Sequence, residues 1–335
     1  MADGRRVRDR TSFMKSFQKI PFSEIDLADR TFSVNFRPDL ERLRASILEV
    51  GLIQPVLLRA RARGFQIVSG FRRLTVARQL GWVDIEARLV EERGQEDLGL
   101  FLFSLHENLT TRGLNVVETA IALEKLVDFL KGDSAYAVRV FLPLFSLETN
   151  EKILNTYLSL ARLEDEVKEF VLREKVSRSN IRKLSALTPE DRAAALSLLA
   201  SLKVGENTLR ELLALLEETA RREECTWKEI SGRPEIQNVL SSPDLTPSQK
   251  TEKIKKALMD LRYPRMKKRE RDFEKRKKEL DLPPNLWLEH SPFFEESVLR
   301  MAFRFGTMEE YRASVSALAQ LSEREEFEEM VRRME

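Results

Sequence analysis

The stretch VSGFRRLTVARQLGW, residues 68–82, decides which kind of domain the first part of this chain forms. A short apolar run ends in Ser69 and Gly70, and Arg72 and Arg73 follow within the first turn of a predicted helix. Cations are unfavourable there because the helix macrodipole already places partial positive charge at its N-terminus. The pattern therefore raises the question of which anion the two arginines meet.

The turn from strand to helix has the properties of a phosphate site. Gly70 allows an anion to approach the backbone N–H groups at the start of the helix. Arg72 and Arg73 add forked donors that match phosphate oxygens. The pattern favours a phosphate-bearing ligand, and the alternative is a plain turn followed by two ordinary surface cations.

Strand and helix patterns alternate around this turn. Strands are predicted in PFSEIDL, LIQPVLLR, FQIVSG and WVDIEARLV, and helices in RPDLERLRASILEVG and EDLGLFLFSLHENL. Pro38 and Asp39 open the first of these helices and Gly51 ends it. Residues 20–115 are therefore predicted to form a small α/β domain.

Two further motifs place polar side chains in this domain. In SLHENLTTRGLNVVETA, residues 104–120, Glu107 and Asn108 stand together at the end of a helix. A carboxylate beside an amide suits a magnesium ion that also takes phosphate oxygens, although a helix end with polar caps gives the same pattern. In GLIQPVLLR, Gln54 places an amide at the start of a strand, where most glutamines are simply exposed to solvent.

Composition excludes several classes of protein. The chain has 57 Lys+Arg against 55 Asp+Glu, so its formal net charge of +2 argues neither for nor against nucleic acid. A single cysteine, Cys225, excludes a disulfide framework, and the presence of only two histidines argues against a His-based metal site. Without a signal-like N-terminus or a long apolar run, a cytoplasmic protein without a membrane partner is expected.

The remainder of the chain divides by pattern into four parts. Residues 1–19 are predicted to be a basic flexible arm, either solvated or in contact with a partner protein or DNA. Residues 116–230 read as successive amphipathic helices. Residues 231–264, rich in Ser, Pro and Asn, are predicted to be a linker, and residues 265–335 a separate C-terminal domain.

The C-terminal domain begins with a densely charged helix and continues as strand, strand and helix. The second strand carries Leu299, Met301, Phe303 and Phe305 in alternation with other side chains. A unit of this size cannot cover so much apolar surface by itself. It is therefore predicted to be a dimerisation module.

Taken together and in this order, the motifs resemble the ParB family of chromosome and plasmid partition proteins. The family carries a GxxQPxxVR-like strand, a GERRxRA phosphate motif and an ENxQR motif, and here stand GLIQPVLLR, GFRRLTVA and ENLTTRGLN. The resemblance implies an α+β, mostly helical chain. Its parts would be an N-terminal ParB/sulfiredoxin-like α/β domain, a central all-helical helix-turn-helix domain and a C-terminal strand-strand-helix dimerisation unit.

The resemblance also implies a function. It suggests a nucleoid-associated homodimer that binds double-stranded DNA and uses CTP and Mg²⁺ to close as a clamp in DNA segregation or nucleoid organisation. A ParA-like ATPase would bind through the N-terminal arm. By the family's motifs, the nucleotide site would consist of Gln54, Ser69, Gly70, Arg72, Arg73, Glu107 and Asn108, with Glu107 and Asn108 at the magnesium.

Two departures from the family pattern concern the nucleotide. Phe71 stands where the family has Glu, which removes a carboxylate near the phosphates and the metal. Thr110 and Thr111 replace the Gln-Arg pair, and the arginine follows at Arg112. Hydrolysis is therefore expected to be slow or absent, with a weak CTPase activity at most.

The DNA contacts are expected in the helical region. The predicted recognition helix has Lys152 and Asn155, but Glu148 and Glu151 beside them would repel phosphates. A later basic cluster is the better candidate, unless it is only a solvated helix face: Arg173, Lys175, Arg178, Arg182 and Lys183.

Two other classes of function stay open at this point. A diverged adaptor would keep the fold, lose specific DNA binding and recruit a partner protein. An enzyme is a third possibility, but sulfiredoxin chemistry needs a cysteine at the phosphate loop and Cys225 lies elsewhere. A nuclease would need clustered carboxylates for metal ions, and no such set can be identified.

Overall fold

The computed structural model of the chain describes residues 14–90, 96–291 and 298–332. The chain divides into two compact units, residues 1–188 and 189–335. The first unit thus contains the predicted α/β domain together with the beginning of the helical region. Among the described residues, no helix is long and apolar enough to cross a membrane.

The first unit contains five strands and eight α-helices among its described residues. The strands are β1 Met14–Pro21, β2 Ile25–Asp26, β3 Val56–Ala60, β4 Phe65–Ser69 and β5 Asp84–Val90. The helices are α1 Glu41–Val50, α2 Phe71–Gln79, α3 Asp97–Thr111, α4 Val116–Phe129, α5 Ser134–Tyr136, α6 Glu151–Ala161, α7 Asp165–Arg173 and α8 Arg178–Ala186.

The strands form one sheet in the order β1-β5-β3-β4-β2. Strands β3 and β5 run parallel, as do β2 and β4, whereas β1 pairs with β5 and β3 with β4 in antiparallel fashion. Val56, Leu58, Ile67 and Ala87 are almost completely buried in these central strands. The predicted α/β architecture is confirmed, and β4 leads directly into α2.

The prediction of a flexible arm over residues 1–19 needs correction. Residues 1–13 lie outside the described part of the chain, but residues 14–19 belong to β1 and pair with β5. Phe17 is 57% exposed, and its ring lies against Arg88, whereas Ile20 is buried. An edge strand such as β1 is held mainly by backbone hydrogen bonds, so its sequence has little alternation of apolar and polar residues. The sequence therefore does not predict this strand.

An irregular segment, residues 29–37, ties the sheet to the helices that follow it. Phe32, Val34 and Phe36 are buried. The Lys125 ammonium of α4 donates hydrogen bonds to backbone carbonyls of this segment, among them that of Thr31 at 3.0 Å. The segment therefore has a fixed position against α4 without forming a helix or strand.

The segment predicted to be a helix-turn-helix folds as several short elements. After α5 come a π-helical stretch, Ala137–Phe141, and a 3₁₀ turn, Pro143–Phe145, and then α6. Ser146 adopts φ 58°, so it supplies the left-handed turn for which the sequence has no glycine. Helix α6 packs against α4 and α8.

The second unit is helical at first and ends in a small mixed domain. Its helices are α9 Pro189–Ala200, α10 Glu206–Glu223, α11 Trp227–Ser231, α12 Pro234–Ser241, α13 Pro247–Arg262, α14 Pro264–Glu279, α15 Met308–Ser322 and α16 Glu325–Arg332. Its strands are β6 Leu286–His290 and β7 Leu299–Phe303.

The prediction of a linker over residues 231–264 is wrong for most of that segment. Helices α12 and α13 occupy it, and α13 packs against α10. The residues whose type predicts a loop stand at the beginnings of helices. Pro234 and Pro247 lie in the first turns of α12 and α13, and Thr246 forms a capping box with Gln249.

The predicted strand-strand-helix arrangement at the C-terminal end is present. Strands β6 and β7 pair antiparallel. Their inner face packs with α14, α15 and α16 around five buried residues, Phe273, Leu280, Leu288, Leu321 and Met330. Residues 292–297, between the two strands, lie outside the described part of the chain.

Candidate functional site

The turn between β4 and α2 depends on Gly70. Its backbone is left-handed, with φ 98° and ψ 19°. A Cβ atom added to Gly70 would lie 2.7 Å from Cγ1 of Val56 in β3. The glycine is therefore required by the backbone angle and by close packing of the turn on β3, reasons that the sequence pattern does not show.

Replacing Gly70 with alanine is expected to destabilise the first unit by about 2–4 kcal/mol, because backbone strain adds to a steric clash with Val56. Gly81, after the same helix, is the matched control, since it also has positive φ, 77°, but open space where a Cβ would lie. Gly81→Ala should cost only about 1–2 kcal/mol. Urea unfolding checks this, and equal losses in the two variants would contradict the role of Val56.

Glu107 is the centre of the first group of polar side chains at this turn. Its Oε1 accepts a hydrogen bond from Nη2 of Arg73 at 2.6 Å, and its Oε2 accepts one from the Ser69 hydroxyl. Nη1 of Arg73 donates to the carbonyls of Gln54 and Pro55, each at 2.9 Å. We call Ser69, Arg73 and Glu107 the Glu107 cluster.

Arg72 belongs to a second group, which we call the polar ring: Asn35, Arg72, Arg112 and Glu118. Arg72 donates from Nε to Oδ1 of Asn35 at 2.8 Å and from Nη2 to Oε1 of Glu118 at 2.7 Å. Arg112 donates to Oε2 of Glu118 at 2.7 Å and to Oδ1 of Asn35 at 3.3 Å. Both acceptors thus bridge the same two arginines.

Asn108 lies beside the polar ring. Its Oδ1 accepts a hydrogen bond from Nε of Arg112 at 2.8 Å, and its amide nitrogen donates to the carbonyl of Ser104 at 2.8 Å. Thr110 and Thr111 bond back to carbonyls of their own helix. Thr110 and Thr111, which stand in place of the Gln-Arg pair of the family motif, therefore form the last turn of α3.

The structure brings most of the predicted nucleotide residues together. Ser69, Arg73 and Glu107 are in direct contact, Gly70 and Arg72 adjoin them in sequence, and Asn108 follows Glu107 on α3. The Gln54 side chain is exposed, and this residue reaches the cluster through its carbonyl.

Three residues of the site, Asn35, Arg112 and Glu118, are missing from the set of nucleotide residues that the sequence predicts. Glu118 is in the third helical position of a capping box with Asn115 and is only 1% exposed. The spacing Asn-x-x-Glu predicts the cap, but it does not predict the two arginines. Asn35 lies in the irregular segment 29–37, and no sequence pattern indicates it.

The carboxylates of Glu107 and Glu118 are the anions that the arginines of α2 meet inside the protein. Burial lowers the pKa of the Arg72 guanidinium below its ordinary value, and the charge of Arg112 lowers it further, whereas Glu118 opposes both effects. The site thus has three arginines against two carboxylates. This excess of positive charge suits an additional anion.

The candidate DNA-binding residues form two neighbouring groups. Lys152 and Asn155 are exposed on α6. On α8, Arg178 and Arg182 are exposed one helical turn apart. Burial raises the pKa of the Tyr157 hydroxyl on α6, and the charge of Arg178 partly offsets this, so the two helices share one electrostatic environment.

The other three members of the basic cluster differ in their surroundings. Arg173, at the end of α7, is exposed and forms an ion pair with Glu174 at 2.8 Å. Lys175 is exposed in the following turn, with φ 51°. Lys183 is half-buried on α8. These three side chains therefore differ in exposure and in pairing.

The sheet, the turn after β4 and the motif at the end of α3 lie in a region that is similar to ParB N-terminal domains. The family model described as the ParB N-terminal domain matches residues 7–109, which are less than half of the chain. The nucleoid occlusion protein of Halalkalibacterium halodurans is 30% identical over 150 residues, which are 44% of this chain and 49% of that protein. The chromosome-partitioning protein Spo0J of Thermus thermophilus is 32% identical over 179 residues, 52% of this chain and 63% of that protein.

The chain spans about half the length of the curated relatives it matches. Among solved structures, the C-terminally truncated ParB from Caulobacter crescentus complexed to the centromeric parS site is 22% identical, with a TM-score of 0.32. That comparison covers 59% of this chain and 97% of the other. The same protein complexed with CTP-gamma-S is 23% identical, with a TM-score of 0.24, and covers 56% of this chain and 99% of the other.

Proposed function

We propose that this protein is a ParB-like homodimer that binds CTP with Mg²⁺ at the start of α2 and double-stranded DNA through α6 to α8. It would act as a nucleotide-dependent clamp in DNA segregation or nucleoid organisation. The observation that carries the proposal is the Glu107 cluster, which places a hydroxyl, a guanidinium and a carboxylate at a glycine turn inside the region that is similar to ParB N-terminal domains. ParA-like ATPase binding through residues 1–19 belongs to the same proposal.

The residues present fit a magnesium-bound triphosphate. Among the described residues there is no group of three or more His, Cys, Asp and Glu side chains that could hold a metal ion, so a metal here would take phosphate oxygens as further ligands. Glu107 and Asn108 would hold Mg²⁺, which would offset the charge of the phosphates. Arg73 would then donate to a phosphate instead of Glu107. Arg73 would be paired with the phosphate and Glu107 with Mg²⁺, so each would keep a partner of opposite charge.

Calorimetric titration of the full chain with CTP, ATP, GTP and UTP tests the proposed ligand. Heat with CTP and Mg²⁺, and much weaker binding of the other three, is the expected result. A repeat with EDTA shows whether the metal contributes. No heat with any of the four under conditions where the protein is folded, with and without DNA, would refute nucleotide binding.

Hydrolysis of CTP is expected to be slow or absent. Phe71 is buried, with 6% exposure, and has no group that could bind a metal or orient water. Phosphate release measured with saturating Mg-CTP and DNA checks this expectation. Rapid turnover would show that another residue takes the role of the family's glutamate.

The basic cluster on α7 and α8 provides a prediction for DNA. Replacing Arg178 and Arg182 together with alanine should weaken binding and reduce the slope of log K against log salt by about 1–2, because fewer counterions are released. Arg42 and Arg44, exposed on α1, provide a control with the same loss of charge. Fluorescence anisotropy with duplex DNA at several salt concentrations measures the slope, and equal slopes in both double variants would contradict a DNA-binding role for α8.

A second candidate function is a diverged adaptor that recruits a partner protein. Glu148 and Glu151 favour it, because both are exposed at the start of α6, where a recognition helix would meet phosphates. Electrophoretic mobility with sheared genomic DNA, at low and moderate salt, separates the two functions. A shift at both salt concentrations supports DNA binding, whereas its absence supports the adaptor.

A further inference from the structure

The polar ring joins four parts of the first unit. Asn35 comes from the irregular segment 29–37, Arg72 from the first turn of α2, and Glu118 from the first turn of α4. Arg112 follows the end of α3. Hydrogen bonds of 2.7–3.3 Å connect the four side chains in a closed circuit.

Glu118 is the most buried member of this circuit. Its side chain is 1% exposed, whereas those of Arg72 and Arg112 are 24% and 21% exposed. Each oxygen of the carboxylate accepts a hydrogen bond from a different arginine, and Oε2 also accepts one from the backbone N–H of Asn115 at 3.3 Å. Glu118 therefore balances charge beside the phosphate site and also caps α4.

An anion at the start of α2 would meet an Arg72 that is already occupied. Its Nε and Nη2 donate to Asn35 and Glu118. Glu118 also brings negative charge close to the place where phosphate charge would accumulate, and like charges repel. A bound phosphate and Glu118 thus compete for the same guanidinium.

We propose that Glu118 is a positioning residue that competes with the bound nucleotide for Arg72 and thereby makes the first turn of α4 sensitive to occupancy of the site. This inference rests on the proposed nucleotide function. When Arg72 turns to a phosphate, Oε1 of Glu118 loses a charged partner in a buried position, and such a loss is unfavourable. The first turn of α4 must then adjust, and α4 packs against α6, on which the candidate DNA residues Lys152 and Asn155 lie.

Glu118→Gln is the direct test. The variant removes one negative charge near the phosphates, so the Kd for Mg-CTP should fall roughly threefold to tenfold. Hydrogen exchange gives a second readout. In the wild type, Mg-CTP should change the exchange of the amides of residues 116–119, and in Glu118→Gln this ligand-dependent change should be absent.

Glu124→Gln is the matched control, because Glu124 lies on the same helix and forms an ion pair with Arg162 at 3.0 Å, outside the polar ring. It should behave as the wild type in both measurements. If Glu118→Gln does not fold, the Arg112→Gln/Glu118→Gln variant removes one charge of each sign. That double variant should bind Mg-CTP without a change in exchange at residues 116–119.

The outcomes separate this inference from the proposed function. Absence of nucleotide binding by the wild type would refute the proposed function itself. If the wild type binds Mg-CTP, weaker or unchanged binding by Glu118→Gln would overturn competition for Arg72. A ligand-dependent change in exchange at residues 116–119 that persists in either Glu118 variant would overturn the link to α4.

Discussion

Arg73→Ala is expected to lower the affinity for Mg-CTP about ten- to hundredfold. The guanidinium would lose a charge-assisted contact to phosphate, worth about 1.5–3 kcal/mol. Calorimetry at saturating Mg²⁺ measures the loss.

Two controls separate ligand binding from folding. Arg78, exposed in the last turn of α2, carries the same charge outside both groups of polar side chains, so Arg78→Ala should bind as the wild type does. Arg73 also donates to the carbonyls of Gln54 and Pro55, so thermal unfolding of Arg73→Ala must show a folded first unit. An unchanged Kd in folded Arg73→Ala would mean that Arg73 makes only structural contacts, to Glu107 and to the two carbonyls.

Most elements of the N-terminal domain, although not β1, could be predicted because their patterns are local. FQIVSG and WVDIEARLV have the apolar content of buried strands, and they form β4 and β5. The turn at Gly70 is also local, because a strand ends there and a helix begins. The close packing of Gly70 on Val56, which leaves no room for a Cβ atom, is not local, since it depends on how β3 and β4 pair.

The partners of the two arginines could not be predicted for the same reason. Arg73 and Glu107 are 34 positions apart in sequence, and Arg72 and Glu118 are 46 apart. A cation at a helix N-terminus indicates an anion, but not where the anion comes from. The motif therefore indicated a group of charged side chains at this turn, but it suggested only an external ligand for them.

The wrong boundaries share a physical cause as well. Ser, Pro and Asn mark loops and helix starts alike, and in residues 231–264 they begin α12 and α13. Strand β1 has little apolar alternation because it lies at an edge, where backbone hydrogen bonds provide the pairing. Composition alone could not distinguish either segment from a flexible one.

A chain that ends at Leu261 is expected to be monomeric without ligand. The full chain is expected to form a dimer, with about twice the mass of one chain, which is 38.9 kDa. The missing segment contains the domain built from α14, β6, β7, α15 and α16, with its own core. Part of the apolar face that the sequence predicts is covered within the domain, because Leu299 and Met301 pack against that core. Phe305 remains 54% exposed just beyond β7.

The exposed apolar surface continues from Phe305 along α15. Met308 is 61% exposed, Tyr311 38% and Val315 43%, and their spacing places them on one side of the helix. The rings of Phe305 and Tyr311 are 5.1 Å apart, so the surface is continuous. A patch of this kind at the end of a small domain fits a second copy of the same chain, because a two-fold interface joins identical surfaces.

Point variants test this surface without removing the domain. Tyr311→Glu and Val315→Glu should each convert the dimer largely into monomer, because a charge buried between two apolar faces is strongly unfavourable. Gln320→Glu, exposed on a different side of α15, adds the same charge and should leave the dimer intact. Light scattering over a range of protein concentrations measures the mass. If the chain that ends at Leu261 stays dimeric, the main interface lies in residues 1–261. If that chain is monomeric but the two point variants stay dimeric, the interface lies elsewhere in the C-terminal domain.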